Sequence, residues 1–140
     1  LQASLHWRGE GLHFVAYLGS GHTLAYDSPI EVGGSDKAAR PMEGLLSAML
    51  ACFSADVVSI LRKKRKAIQT YALTAEAQRR TDFPQVFTSV HINLTIVSPD
   101  AEMADVLRSI ELSRTKYCSA MAMFEAAGCT IEIIPELKRP

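Results

Sequence analysis

The chain has 140 residues, 15 Lys+Arg balanced by 15 Asp+Glu, and a 48% apolar share. That is one domain's length with enough apolar residues for a real core, so disorder is excluded; zero net charge supplies no global field for nucleic acid or an acidic membrane. Three cysteines, Cys52, Cys118 and Cys129, are odd in number and lack CxxC spacing, and the four histidines lie elsewhere, which excludes a secreted disulfide framework and a zinc site.

Residues 1–8 carry no targeting pattern. The first quarter reads as strands: Leu12–Leu18 between Gly11 and Gly19, then His22–Tyr26 after a Gly-Ser-Gly turn, as in a meander. Ser28 to Ala39 is a loop rich in Gly and Pro. A helix begins near Pro41, where proline fits the first turn and Glu43 complements the dipole. From Leu45 to Leu61 nearly every helical face is apolar, and such a helix is buried all round. A chain this short cannot wrap it alone, so sheets on both faces or a second copy must cover it. The run is interrupted by Ser47, Ser54, Asp56 and Ser59 and is shorter than the ~20 residues of a spanning helix.

The helix ends in Arg62-Lys63-Lys64-Arg65-Lys66, cations suited to a solvated C-terminus; no aromatic platform accompanies them, which disfavours nucleic acid. Thr70–Arg79 and Val86–Val97 alternate as strands of a hairpin turned by Asp82-Phe83-Pro84. Pro99-Asp100 opens a helix over Ala101–Ser113. A break at Arg114–Lys116 precedes a short helix, Cys118–Ala127, stopped by Gly128. Thr130–Ile134 is a last strand, ended by Pro135. The order β-β-(β)-α-β-β-α-α-β, with hairpins rather than βαβ units, predicts an α+β fold with antiparallel sheets.

Cys52 lies mid-helix, where a small core residue and a reactive thiol are both consistent with the pattern. Cys118 stands at a helix start just after Lys116, and both features favour thiolate. Cys129 leads into an apolar strand and reads as core or edge.

Pro41-Met42-Glu43, Ala51-Cys52 within the apolar helix, Val57-Val58 with the basic end, and Lys116-Tyr117-Cys118-Ser119 some 66 residues after Cys52 resemble the OsmC/Ohr family, the osmotically inducible and organic hydroperoxide resistance proteins. Phe87-Thr88 and the strand after it fit as well. The resemblance spans nearly the whole chain, is strongest to the shorter OsmC-like branch, and treats residues 1–140 as a single domain. It implies antiparallel sheets around a long buried central helix in an intertwined homodimer. It also implies a thiol peroxidase with no cofactor or metal, in which Cys52 attacks an organic hydroperoxide and Cys118 resolves the sulfenic acid as a disulfide. A dithiol such as a lipoylated protein would reduce that disulfide. A redox-sensing or small-molecule-binding protein on the same fold is the alternative. The expected setting is soluble and cytoplasmic, where cysteines stay reduced.

The family also uses a Glu and an Arg at the thiol. Here Met42 follows Pro41, and Glu43 lies nine residues before Cys52. Glu43 and Arg40 are the candidates, with Arg8 an outsider. In an unbroken helix Glu43 and Cys52 are ~13.5 Å apart along the axis and face nearly opposite ways. A shared site therefore requires a helix break near Gly44 or delivery of Arg40 and Glu43 by a second copy, and delivery by a second copy is expected. An alkyl peroxide would suit Met49, Phe53, Met121, Met123 and Phe124 around Cys52.

Overall fold

The computed structural model describes all residues, 1–140. Its contacts divide into two compact units, Leu1–Ala48 and Met49–Pro140.

In the first unit, β1 (Ala3–Trp7), β2 (Phe14–Leu18) and β3 (Thr23–Tyr26) form an antiparallel meander in that order. β1 has no clear counterpart in the apolar pattern, because all five of its residues are exposed and no glycines bracket it. The following loop wraps the buried carboxylate of Asp27. That side chain accepts from the Ser28, Ser35 and Lys37 backbone N–H groups and from the Ser35 hydroxyl. A single 3₁₀ turn, Ile30–Val32, lies within the loop. The loop returns to the sheet at Ala39, whose carbonyl accepts from Asp27 N–H at 3.0 Å.

Helix α1 (Pro41–Lys63) runs unbroken through Gly44 and is longer than its apolar run. Gly44 is needed there for space: a Cβ would stand 2.6 Å from Tyr26 Cε1. The helix is not buried all round in the single chain. It buries one stripe, Met49, Phe53, Val57 and Leu61, spaced four residues apart as one face requires. Leu45, Ala51 and Ala55 remain exposed. By length and composition α1 could also cross a membrane. Two polar ties hold its second half to the rest of the Met49–Pro140 unit: Tyr71 donates to Ser54 at 3.0 Å, and Ser113 donates to Asp56 at 2.8 Å.

The second unit is built on β4 (Thr70–Arg79), β5 (Phe87–Val97) and β6 (Thr130–Lys138), with β5 central. β4 and β5 are the antiparallel hairpin read from the alternation, but β5 and β6 are parallel, so this sheet is mixed rather than antiparallel. β6 also continues past Pro135, which pairs with Leu94. Proline is tolerated because β6 is an edge strand, where a missing donor can face outward. Alternate residues of β5, including Val90, Ile92, Leu94 and Ile96, are buried. Helix α2 (Met103–Leu112) adds Val106 and Ile110 to the core and starts with a capping box between Glu102 and Asp105. It passes without a gap into a π-helical turn, Ser113–Tyr117, where the sequence suggested a break. Helix α3 (Ser119–Ala126) follows, and Phe124 stacks on Phe87 at 5.2 Å between ring centroids. The architecture is α+β, with two three-stranded sheets and three α-helices.

Candidate functional site

The sequence offered four candidate residues, and the structure arranges them as two local pairs. Arg40 and Glu43 meet at the start of α1. Arg40 N–H donates to Glu43 Oε2 at 3.2 Å, the backward half of a helix-capping arrangement, and the two side chains are 4.0 Å apart. Arg40 also pairs with Asp36 at 3.2 Å. All of these groups are substantially exposed. Because α1 is continuous, Glu43 and Cys52 are separated by two and a half turns of one helix, about 13.5 Å along its axis.

Cys52 and Cys118 form the second pair, both as free thiols. Cys52 projects half-buried from α1. Cys118 is only 3% exposed. It is the N-cap of α3, and its Sγ accepts from the Met121 backbone N–H at 3.3 Å. Its thiol lies close enough to Cys52 for the two to interact directly. The thiolate expected at Cys118 does not follow. Burial pushes the thiol up to about 11; the Met121 N–H opposes this, while the Cys52 thiol and the Asp56 carboxylate add to the rise. Lys116, the cation invoked from the sequence, instead lies over the Tyr117 ring, 5.3 Å from its centroid.

Asp56 was missed as part of this site. In the sequence it reads as one of several polar interruptions of an apolar run. The available signal was its spacing, four residues after Cys52, which puts both side chains on one side of α1. It accepts from the fully buried Ser113, whose carbonyl in turn accepts from Cys118 N–H at 2.8 Å. Within the Met49–Pro140 unit, the charge beside the thiol pair is therefore negative.

The apolar residues proposed to receive an alkyl chain are mostly core. Met49, Phe53 and Met121 are fully buried, Phe124 nearly so, and Met123 turns to solvent at 76% exposure. An open groove of about 760 Å³ lies on the outer face of α1 instead, lined by Ala51, Ser54, Ala55, Val58, Ser59 and Arg62 among others. Cys129 is buried and donates weakly to the Thr130 carbonyl at 3.7 Å; burial, then Glu125, pushes its thiol upward, as suits a structural residue. The basic end of α1 is partly neutralised: Lys64 and Lys66 reach Asp105 of α2 at 3.1 and 3.7 Å. No group of His, Cys, Asp and Glu is arranged to hold a metal ion.

Comparison with known proteins places the chain in a family. Protein YhfA of Escherichia coli K12 is 36% identical over 127 residues, 91% of each chain. A hypothetical protein of Aquifex aeolicus has a similar structure, with a TM-score of 0.84 and 26% identity over 99% of this chain and 96% of that one. An organic hydroperoxide resistance protein, OsmC, of Legionella pneumophila shares the fold at a TM-score of 0.63 and 16% identity, covering 96% of this chain and 95% of its own. Residues 34–134 match the family described as OsmC-like protein, and the chain belongs to that family.

Proposed function

We propose that this protein is a thiol-dependent peroxidase that reduces organic hydroperoxides, with Cys52 peroxidatic and Cys118 resolving. The observation that carries the reading is the thiol pair: a half-buried cysteine on α1 beside a buried one at the start of α3. In the first step the Cys52 thiolate attacks the O–O bond, becoming sulfenic acid and releasing the alcohol once the alkoxide gains a proton. Cys118 then condenses with the sulfenic acid, and an external dithiol, of which a lipoylated protein is one candidate, reduces the disulfide.

Cys52 lies mid-helix and gains nothing from the helix dipole. A thiolate there would be stabilised by a cation, and arginine can direct N–H groups toward sulfur and peroxide together. We assign that role to Arg40, oriented by Glu43 and delivered by a second copy of the chain seated on the open apolar face of α1. Three cysteines, odd in number and too few for a disulfide framework, suit the reducing cytoplasm, where we place the protein.

Asp56 favours a second reading. Its carboxylate opposes thiolate formation at Cys118, as expected of a dithiol that senses oxidants without efficient turnover. Peroxide consumption decides between them. With cumene hydroperoxide and excess dithiol, the peroxidase reading expects turnover in wild type, none in Cys52→Ser, and progressive over-oxidation of Cys52 in Cys118→Ser by mass spectrometry. Equal rates in all three proteins would overturn it. A Cys52–Cys118 disulfide formed without catalytic peroxide loss supports the sensor.

A further inference from the structure

Ser113 is bonded at both ends of the thiol pair's surroundings. Its hydroxyl donates to Asp56 on α1, and its carbonyl accepts from the N–H of Cys118 at the start of α3. The π turn makes this possible. An α turn would direct the Ser113 carbonyl to Tyr117 N–H, whereas the wider π turn directs it one residue further, to Cys118. Asp56 stands one helical turn beyond Cys52. The bridge therefore starts on the helix that carries one cysteine and ends on the backbone of the other.

We propose that Ser113 and Asp56 are positioning residues for the disulfide step, clamping the start of α3 to α1 so that Cys118 meets Cys52. Neither touches the reacting sulfur in this role. The reason for such a clamp is geometric. A disulfide forms only within a narrow range of Cα separation and torsion, and intramolecular reactions gain most of their advantage from held orientation. The Cys118 sulfur forms the S–S bond as the S–O bond of the Cys52 sulfenic acid breaks, and the Cys118 proton leaves with the hydroxide as water.

The inference deepens the peroxidase reading and takes its biological sense from it, but the clamp acts on any oxidation of the pair. The test therefore has two arms on the full chain. In one, wild type, Ser113→Ala, Asp56→Ala, Asp56→Asn and the Ser113→Ala/Asp56→Ala double variant are equilibrated in dithiothreitol redox buffers, after oxidation by diamide, which takes two hydrogens from a dithiol. In the other, each is treated with cumene hydroperoxide, and the disulfide and the Cys52 sulfinic acid are counted by mass spectrometry.

Ser113→Ala and Asp56→Ala should each lower the disulfide equilibrium constant roughly tenfold, the scale of one hydrogen bond. Both should divert Cys52 toward sulfinic acid. Asp56→Asn keeps a carbonyl acceptor for Ser113 and should stay within about twofold of wild type. The double variant should be no worse than either single one, since both remove the same bridge. Wild-type equilibrium constants in both alanine variants overturn the proposal. So does Asp56→Asn falling as far as Asp56→Ala, which would assign the effect to charge. Full additivity in the double variant overturns it as well. If Ser113→Ala does not fold, the two Asp56 variants carry the test. Wild type that consumes no peroxide while the alanine variants still weaken the disulfide sinks the peroxidase reading and leaves the clamp. Turnover with unchanged variants does the reverse.

Discussion

Cys118 ties the chemistry of the site to the stability of the fold. A free thiol ionises near 9, and this one near 11, so the folded state holds its proton where the unfolded chain has lost it. Its contribution to stability is fully present below about pH 9 and is lost as pH rises through about 11. Thermal melts across that range should fall steeply for wild type and less steeply for Cys118→Ala, which is also less stable at neutral pH because it loses a helix cap. Asp27 has the opposite sign. Burial raises its pKa, but hydrogen bonds from Ser35, Ser28 and Lys37 outweigh this and hold it well below the usual carboxylate range. Its contribution is present above about 3.8, the ordinary value, and is lost as pH falls through the folded value. Asp27→Asn should flatten the acid side of the stability profile and lower Tm at pH 7. The positions of the cysteines were legible in the sequence. The raised pKa of Cys118 was not, because it depends on burial and on Asp56, and neither can be read from the residues next to it in the chain.

At the scale of elements, the apolar pattern located α1, the β4–β5 hairpin and the two later helices. It did so because each repeats its apolar residues at the spacing of one face: four buried residues on α1, five apolar ones on β5, and Val106, Ile110, Met121 and Phe124 on the later helices. Where it failed, periodicity carried no signal. β1 is exposed along its whole length, the π turn breaks the 3.6 period, and the parallel pairing of β6 depends on which strand it lies beside. The same contrast sets the expected cost of substitutions. Phe53→Ala removes a fully buried ring from the one packed stripe of α1 and should cost about 4 kcal/mol by chemical denaturation. In the Asp27 loop, a Cβ on Gly34 would stand 1.8 Å from the Ser28 carbonyl oxygen, so the backbone itself must shift. Gly34→Ala should therefore cost about 3 kcal/mol, whereas exposed Met123→Ala should be nearly neutral.

For the whole molecule, the outer face of α1 matters most. The sequence identified this helix as one that needs cover on every side, and the single chain covers one stripe. The groove over Ala51, Ala55 and Val58 is the surface on which a second copy is proposed to sit. Ala55→Glu places a charge on that exposed face, so it should leave the fold intact by circular dichroism. If two copies meet there, the same change should shift the mass in light scattering from dimer to monomer and abolish peroxide turnover together with it. A dimer that persists, with turnover unchanged, would remove both the proposed interface and the delivery of Arg40 across it.

The sulfur that caps α3 gives the molecule an outward signal. A thiol Sγ that accepts from Met121 N–H helps hold the first turn of that helix in place. If it bonds to Cys52 as proposed, the sulfur is drawn toward α1 and becomes a poorer acceptor, so the first turn should loosen on oxidation and tighten on reduction. Faster amide exchange at Met121 in the disulfide form, with the β5 amides unchanged, would show that the redox state of the two sulfurs is legible to anything that touches the surface of α3.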